Sequence, residues 1–154
     1  MAEAVRIDGG RLLADLHELR NFGRCDPGVV RRSFSDADRE SRDWLRGRFA
    51  EAGLDARIDG VGNVIGRSAN PGPALLIGSH SDTQPRGGWL DGAMGVIYAL
   101  EVARALAEND ATRNLAVDAV AWMDEEGTFL NCLGCHSFMG SLPDGLLARA
   151  TSYD

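Results

Sequence analysis

The stretch Ala74–Asp82, ALLIGSHSD, decides the fold class, because its apolar half passes directly into polar side chains. The run Ala74–Ile77 has the composition of a buried strand. A helical pattern follows from about Asp91 to Ala107, and a second apolar strand is predicted over Leu115–Met123. A strand, a helix and a strand at this spacing form a βαβ unit, whose two strands are parallel and end at the same edge of the sheet. In α/β proteins, that edge carries the chemistry.

Two amphipathic helices are predicted ahead of this unit. Leucines at helical spacing indicate a helix over Arg11–Asn21. A second helix is expected over residues 35–52, with Ser35 as its cap. Its polar residues, Asp38 and Arg42 among them, are assigned to the solvated face.

A hairpin is predicted between the second helix and the βαβ unit. Short β-like segments at residues 55–58 and 63–66 lie on either side of an Asp-Gly turn signal. The chain as a whole is therefore predicted to be α/β, with a mainly parallel sheet flanked by helices.

Composition and charge exclude several classes of protein. The chain has 154 residues, of which 44% are hydrophobic and 25% charged, which is enough for one domain with a hydrophobic core. A net charge of −7 argues against a nucleic-acid partner. The sequence has no secretory signal or run that spans a bilayer, so we expect no membrane partner and a cytoplasmic location. Three cysteines, an odd number, fit a reducing compartment.

Polar clusters interrupt the apolar elements at the predicted sheet edge. His80 and Asp82 follow the first strand, Asp91 lies among glycines at the start of the helix, and Glu125 and Glu126 follow the second strand. Residues i and i+2 of an extended chain point the same way, so His80 and Asp82 face one site. A histidine with carboxylates is a ligand set for zinc or manganese. If Glu126 binds a metal, Glu125 is free to act as a general base.

Each of these residues also has a purely structural interpretation. A histidine after a strand is commonly a satisfied loop residue, and Asp91 can serve as an N-cap of its helix. An acidic pair after a strand can be solvated surface. Taken together, however, these residues favour a metal site more strongly than any one of them does alone.

Longer motifs around these residues resemble a known family. The runs Gly78–Thr83 (GSHSDT), Gly88–Val96 (GWLDGAMGV) and Glu125–Gly127 (EEG) are similar to motifs of the M20 metallopeptidase superfamily. Within it, the sequence most resembles the amidase, hydantoinase and carbamoylase group, which includes N-carbamoyl-L-amino-acid hydrolases and allantoate amidohydrolases. The resemblance extends from about Leu12 to Gly140.

The resemblance implies a di-metal catalytic domain. In it, His80 binds one ion, Asp91 bridges both ions and Glu126 binds the other, while Glu125 is the general base and Asp82 is the partner of His80. The implied cofactors are two divalent ions, zinc or manganese, with cobalt or nickel as alternatives. The implied reaction is hydrolysis of a linear amide, carbamoyl or ureido C–N bond of a small molecule by metal-activated water. The family also implies a homodimer.

Members of this family carry two further histidine ligands and an arginine-bearing lid domain downstream, which nothing in this sequence matches. We therefore expect residues 1–154 to form a partial catalytic domain, without the lid and dimerisation domain. A non-catalytic remnant or interaction module is the alternative function.

A rival motif occurs near the end of the chain. The run Cys132–His136 spells C-x-x-C-H, the pattern of c-type haem attachment. Without an export signal, haem binding is a remote alternative. The same Cys132, Cys135 and His136 could contribute to a structural zinc site, but a closed site needs four ligands and no second pair is visible.

Overall fold

The computed structural model describes residues 4–152. The helices in this part of the chain are α1 (Gly9–Asn21), α2 (Asp36–Glu51), α3 (Ala93–Ala107) and α4 (Leu133–Phe138), followed by a 3-10 turn, Leu147–Arg149. The strands are β1 (Asp55–Ile58), β2 (Val64–Arg67), β3 (Leu75–His80) and β4 (Val117–Trp122). No helix among the described residues combines the length and apolar character needed to cross a membrane.

The strands form one sheet in the order β1-β2-β4-β3. The α/β class with flanking helices is confirmed, but the sheet is mixed where mainly parallel pairing was expected. Strands β3 and β4 are parallel, whereas β1 with β2 and β2 with β4 are antiparallel. The reason is the hairpin: a short turn after β1 reverses the chain, and β2 then docks on the free side of β4.

The predicted βαβ unit places the ends of two strands side by side. His80, the last residue of β3, is the register partner of Trp122, the last residue of β4. Helix α3 contacts both strands and forms the crossover between them. The polar residues that follow each strand therefore start from the same edge of the sheet, as predicted.

Strand β3 is less buried than the sequence predicted. Leu75 is 64% exposed, whereas β4 is buried along nearly its whole length. The difference arises because β3 is the edge strand of the described sheet and has one neighbour only. Its apolar side chains were expected in a core, but in residues 4–152 part of that surface remains uncovered.

One apolar cluster joins helices α1, α2 and α3 to the sheet. The helices contribute side chains at the spacing of one helical face, and the strands contribute inward-facing valine and alanine. The buried members are Leu16, Leu19, Leu45, Phe49, Val64, Ala93, Val96, Ile97, Ala99, Leu100, Ala119 and Ala121.

A buried carboxylate links the three helices beside this core. Asp15 of α1 is 4% exposed. Its Oδ2 accepts a hydrogen bond from Arg104 Nη1 of α3 at 2.5 Å, and its Oδ1 accepts one from Arg48 Nη2 of α2 at 2.6 Å. Removing the charge of Asp15 would leave buried Arg104 with only the more distant carboxylate of Glu101, 3.8 Å away, as a counterion.

We expect Asp15→Asn to lower the free energy of unfolding by about 3 kcal/mol, because breaking this buried ion pair leaves the charge of Arg104 only partly compensated. The measurement is urea denaturation followed by circular dichroism. Asp43→Asn is the matched control: Asp43 pairs with Arg46 at 3.3 Å on the exposed face of α2. Its loss should cost less than about 0.5 kcal/mol. Equal effects of the two substitutions would contradict the proposed role of Asp15.

Candidate functional site

The candidate site lies where β3 and β4 end. His80 closes β3 and is 7% exposed, and Glu125 and Glu126 follow β4 after a short turn. Parallel pairing of the two strands brings these segments together. The His80 Nε2 atom is 3.4 Å from Glu125 Oε2.

The hydrogen bond on the other side of the ring sets the tautomer of His80. Its Nδ1 atom is 3.0 Å from the backbone carbonyl oxygen of Asp82, and 3.7 Å from the Asp82 carboxylate. A carbonyl oxygen can only accept, so Nδ1 carries a hydrogen and donates it. In a neutral ring, Nε2 therefore keeps its lone pair and faces the Glu125 carboxylate oxygen. The Nε2 lone pair and the carboxylate oxygen can together bind an electron-pair acceptor, either a proton or a cation.

The Asp82 carboxylate is fully buried at the centre of the site. Its Oδ2 accepts hydrogen bonds from Ser33 Oγ and from the backbone N–H of Glu126, both at 3.1 Å. Its Oδ1 is buried without a hydrogen bond and lies 3.8 Å from Arg42 Nη2. Asp82 thus joins the segment before α2 to the segment that carries the two glutamates.

Buried charged side chains of α2 lie next to Asp82. Arg42 Nε donates to Asp38 Oδ1 at 2.9 Å, and its guanidinium also donates to the backbone oxygen of Gly62 at 3.1 Å. Both side chains are almost fully buried, so their assignment to the solvated face of α2 is wrong. Burial raises the pKa of Asp38, and the neighbouring Arg42 opposes that shift.

A second arginine lies in the same buried layer. Arg31 is inaccessible to solvent and donates through Nε to the backbone oxygen of Ser81 at 2.7 Å. Its Nη1 donates to the backbone oxygens of Leu19 and Phe22. Burial lowers the pKa of Arg31 to about 10, partly offset by the nearby carboxylates of Asp38 and Asp82. The guanidinium fixes the backbone between His80 and Asp82.

The glutamate-bearing loop is held by two buried polar side chains. Asp124 has a left-handed backbone with φ 54°, and its Oδ2 accepts from the N–H groups of Phe129 at 3.0 Å and Leu130 at 2.7 Å. Asn63 accepts from the N–H of Met123 at 2.9 Å and donates to the backbone oxygen of Gly134 at 3.1 Å. These bonds close the loop at both ends and fix where it projects its glutamates.

The two remaining predicted ligands differ in their surroundings. Glu126 Oε2 accepts a hydrogen bond from Gln84 Nε2 at 2.7 Å. Asp91 is exposed, and its carboxylate makes no hydrogen bond or ion pair within residues 4–152. Its neighbour Gly92 has φ 62° and lies so close to the His80 imidazole that a Cβ atom there would overlap the ring. Asp91 is therefore adjacent to His80 through the backbone.

The side chains at the site are chemically suitable ligands for a divalent ion, but their positions do not form a complete metal site. One imidazole nitrogen with a free lone pair and several carboxylates are ligands that zinc and manganese accept. Among the described residues, however, no three His, Cys, Asp or Glu side chains are arranged to hold a metal ion. The structure brings together His80, Asp82, Glu125 and Glu126, and leaves Asp91 beside them without a contact of its own side chain.

The cysteine motif lies next to the same loop. The backbone N–H of Cys132 donates to the backbone oxygen of Glu125 at 3.3 Å, and burial raises the pKa of the Cys132 thiol. His136 is exposed, and its Nδ1 is 3.0 Å from Ser141 Oγ. Cys132, Cys135 and His136 do not form a group that could hold a metal ion among residues 4–152. This motif therefore forms no zinc site in the described part of the chain.

Strained backbone conformations cluster around the site. Within residues 4–152, the non-glycine residues with positive φ are Phe34, Asp124 and Cys132. Phe34 follows the serine that binds Asp82, and Asp124 precedes Glu125 in the chain. Such conformations cost energy and concentrate at functional sites.

Sequence reasoning missed several residues that shape the site, namely Ser33, Asp38, Arg42, Asn63 and Gln84. For Asp38 and Arg42, a signal was present: residues 38, 42, 45 and 49 follow one helical stripe with the apolar Leu45 and Phe49. Ser33 and Gln84 carry no comparable pattern, because their partners are distant in the sequence.

Comparison with known proteins identifies relatives. The sequence model of Peptidase family M28 matches residues 63–150. The N-carbamoyl-L-amino acid amidohydrolase of Geobacillus stearothermophilus is 35% identical over 143 residues, 89% of this chain and 35% of that protein. The ureidoglycolate hydrolase of Arabidopsis thaliana is 31% identical over 147 residues, 92% of this chain and 31% of that protein. The chain thus spans about a third of the length of these curated relatives.

A solved structure extends the same likeness to the fold. An amidase of the hydantoinase/carbamoylase family from Burkholderia phymatum has a TM-score of 0.96 and 61% identity, covering 98% of this chain and 37% of that chain. The predicted resemblance to the amidase, hydantoinase and carbamoylase group is therefore confirmed, although the matching family model is that of M28. By its match over residues 63–150, this chain belongs to Peptidase family M28 and is similar to the hydantoinase/carbamoylase amidases.

Proposed function

We propose that this chain contributes the first part of the active site of a metal-dependent amidohydrolase. The substrate is a small molecule with a linear amide, carbamoyl or ureido group, and the reaction is hydrolysis of its C–N bond. Residues 1–154 act as a partial catalytic domain in this proposal.

One observation carries the proposal. The His80 ring donates from Nδ1 to a backbone oxygen and directs Nε2 towards the Glu125 carboxylate, 3.4 Å away, at the end of two parallel strands. An imidazole held in this way is prepared to give its lone pair to a cation. A carboxylate at the same place suits proton transfer.

His80, Asp91 and Glu126 are the residues proposed to hold two divalent ions, zinc or manganese, with cobalt or nickel as alternatives. Bound there, such ions supply Lewis-acid polarisation of the substrate carbonyl and lower the pKa of water. The uncommitted carboxylate of Asp91 supports its assignment as the bridging ligand, since both of its oxygens are available.

The chain's own residues handle the protons and the orientation. Glu125 accepts the proton of the attacking water and returns it to the leaving nitrogen as the C–N bond breaks. Asp82 orients His80, chiefly through its backbone oxygen, while its carboxylate fixes the N–H of Glu126. Arg42 and Ser33 hold that carboxylate in place.

The named relatives support the substrate class. They are called N-carbamoyl-L-amino acid amidohydrolase and ureidoglycolate hydrolase, and both names refer to compounds with a urea-type nitrogen. We extend this class to allantoate-type substrates. Assembly as a homodimer and a cytoplasmic location remain predictions.

A second candidate function is favoured by the incomplete ligand set. A chain in which no three described side chains form a metal site can keep the fold and bind a partner without turnover. The next two experiments separate these possibilities.

We expect His80→Ala to weaken zinc binding at least about tenfold, because it removes the only imidazole proposed as a ligand. Isothermal titration calorimetry of the chain with zinc measures this change. His136→Ala is the control, since His136 is exposed and bonded to Ser141 Oγ. Equal affinity of wild type and His80→Ala would remove the basis of the metal assignment.

We expect Glu125→Gln to retain zinc binding and to lower the rate of hydrolysis by about 10²–10⁴-fold, the usual contribution of a general base. The assay follows release of ammonia from N-carbamoyl-L-amino acids, ureidoglycolate and allantoate. Glu108→Gln is the control, because Glu108 is the C-cap residue of α3 and its exposed carboxylate pairs with Arg11, away from the ends of β3 and β4. A wild-type chain that binds zinc and turns over none of these substrates supports the non-catalytic function instead.

A further inference from the structure

Phe34 is an aromatic residue in an unfavourable backbone conformation. Its φ is 64°, and the residue is 43% exposed. The left-handed region is rarely adopted by bulky residues, because Cβ crowds the following carbonyl oxygen. The N–H of Phe34 donates to Asp38 Oδ2 at 2.9 Å, which fixes this conformation. Burial of the ring in a core does not explain the strain, since much of the ring faces solvent.

The ring of Phe34 packs against that of Phe129. Their centroids are 5.4 Å apart in an edge-to-face arrangement. Phe129 is itself held in place, because its N–H donates to buried Asp124 at 3.0 Å. Two separately anchored loops therefore meet through two aromatic rings.

The two residues of the aromatic pair are close in the chain to residues that contact the buried Asp82 carboxylate. Ser33 and the N–H of Glu126 meet at the same Asp82 oxygen, each at 3.1 Å. Phe34 is the next residue after Ser33, and Phe129 follows Glu126 by three residues. Each phenylalanine therefore lies within three residues of a group that contacts Asp82.

We propose that Phe34 and Phe129 form an apolar subsite for the side chain of the substrate. This inference rests on the proposed hydrolase function and narrows its substrate class to carbamoyl amino acids with an aromatic or large apolar side chain, in preference to polar ureido acids. A ligand ring packed on the exposed faces gains apolar burial and favourable ring geometry. It also accounts for an exposed aromatic residue that is held in a strained conformation directly after the serine that binds Asp82.

The chain offers a matched control pair. Phe138 is 40% exposed and packs edge-to-face on Trp122, with centroids 5.2 Å apart. Phe138 lies in helix α4 without a positive φ, and it lines a surface cavity with Arg67 and Asp118. It therefore resembles Phe34 in exposure and ring contact, and differs in strain and in position.

The test compares two ligands that differ only in the side chain. Zinc-loaded, ¹⁵N-labelled chain is titrated with N-carbamoyl-L-phenylalanine and with N-carbamoylglycine, and Kd is obtained from amide shifts. We expect the phenylalanine compound to bind about tenfold more tightly. In Phe34→Asn and Phe129→Ser, the ratio of the two Kd values should fall to within about twofold, whereas Phe138→Ser should keep the wild-type ratio.

Thermal unfolding separates a binding role from a structural one. Asparagine tolerates the left-handed conformation, so relief of strain in Phe34→Asn should offset the lost ring contact and keep Tm within about 2–4 °C of wild type. A folded variant that loses the ligand preference supports the subsite. A preference that survives in both variants, equal affinity for the two ligands in wild type, or binding of neither ligand overturns it.

Failure of the aromatic subsite can be distinguished from failure of the proposed hydrolase function. Zinc binding that depends on His80, combined with equal affinity for the two ligands, overturns the aromatic subsite alone. Zinc binding that is unchanged in His80→Ala overturns the metal site on which the hydrolase proposal depends.

Discussion

The Asp82 carboxylate accepts hydrogen bonds from two segments that are far apart in the sequence, and the candidate site is assembled around it. Its partners are Ser33 before α2 and the N–H of Glu126 after β4. Such a buried anion is tolerated only with hydrogen bonds and opposite charge nearby. Arg42 provides that charge, and it also donates to the backbone oxygen of Trp122 at 3.3 Å. The end of β3, the segment before α2 and the loop that carries the glutamates therefore depend on one another for their positions.

The buried layer beneath the site is balanced in charge. Two carboxylates, Asp38 and Asp82, lie among two guanidinium groups, Arg31 and Arg42. The guanidinium groups also donate hydrogen bonds to backbone oxygens at the ends of β3 and β4 and at the C-terminal end of α1. The more exposed side of the site carries uncompensated negative charge instead, because the carboxylates of Glu125 and Asp91 are not paired with an arginine within the described chain.

The sequence predicted the parts of the site that follow from periodicity, and missed those that depend on distant partners. The lengths of two apolar runs and one helix were enough to place His80 next to the glutamates. The assignment of Asp38 and Arg42 to solvent failed because charged residues were taken as exposed, although their spacing matched the buried stripe of α2. The mixed sheet was not predictable, since the hairpin pattern does not say which edge it joins. The role of Ser33 depends on a contact across 49 residues.

The edge position of β3 connects the dynamics of the sheet with the candidate chemistry. Within the described chain, β3 is paired on one side only, with β4, whereas β4 has neighbours on both sides. Local opening of a protein requires least energy where few contacts must break, so the amide hydrogens of β3 should exchange before those of β4. His80 is the last residue of that strand. Fraying of this edge strand would release the imidazole from its orientation, and any element that pairs with the outer side of β3 would oppose that release.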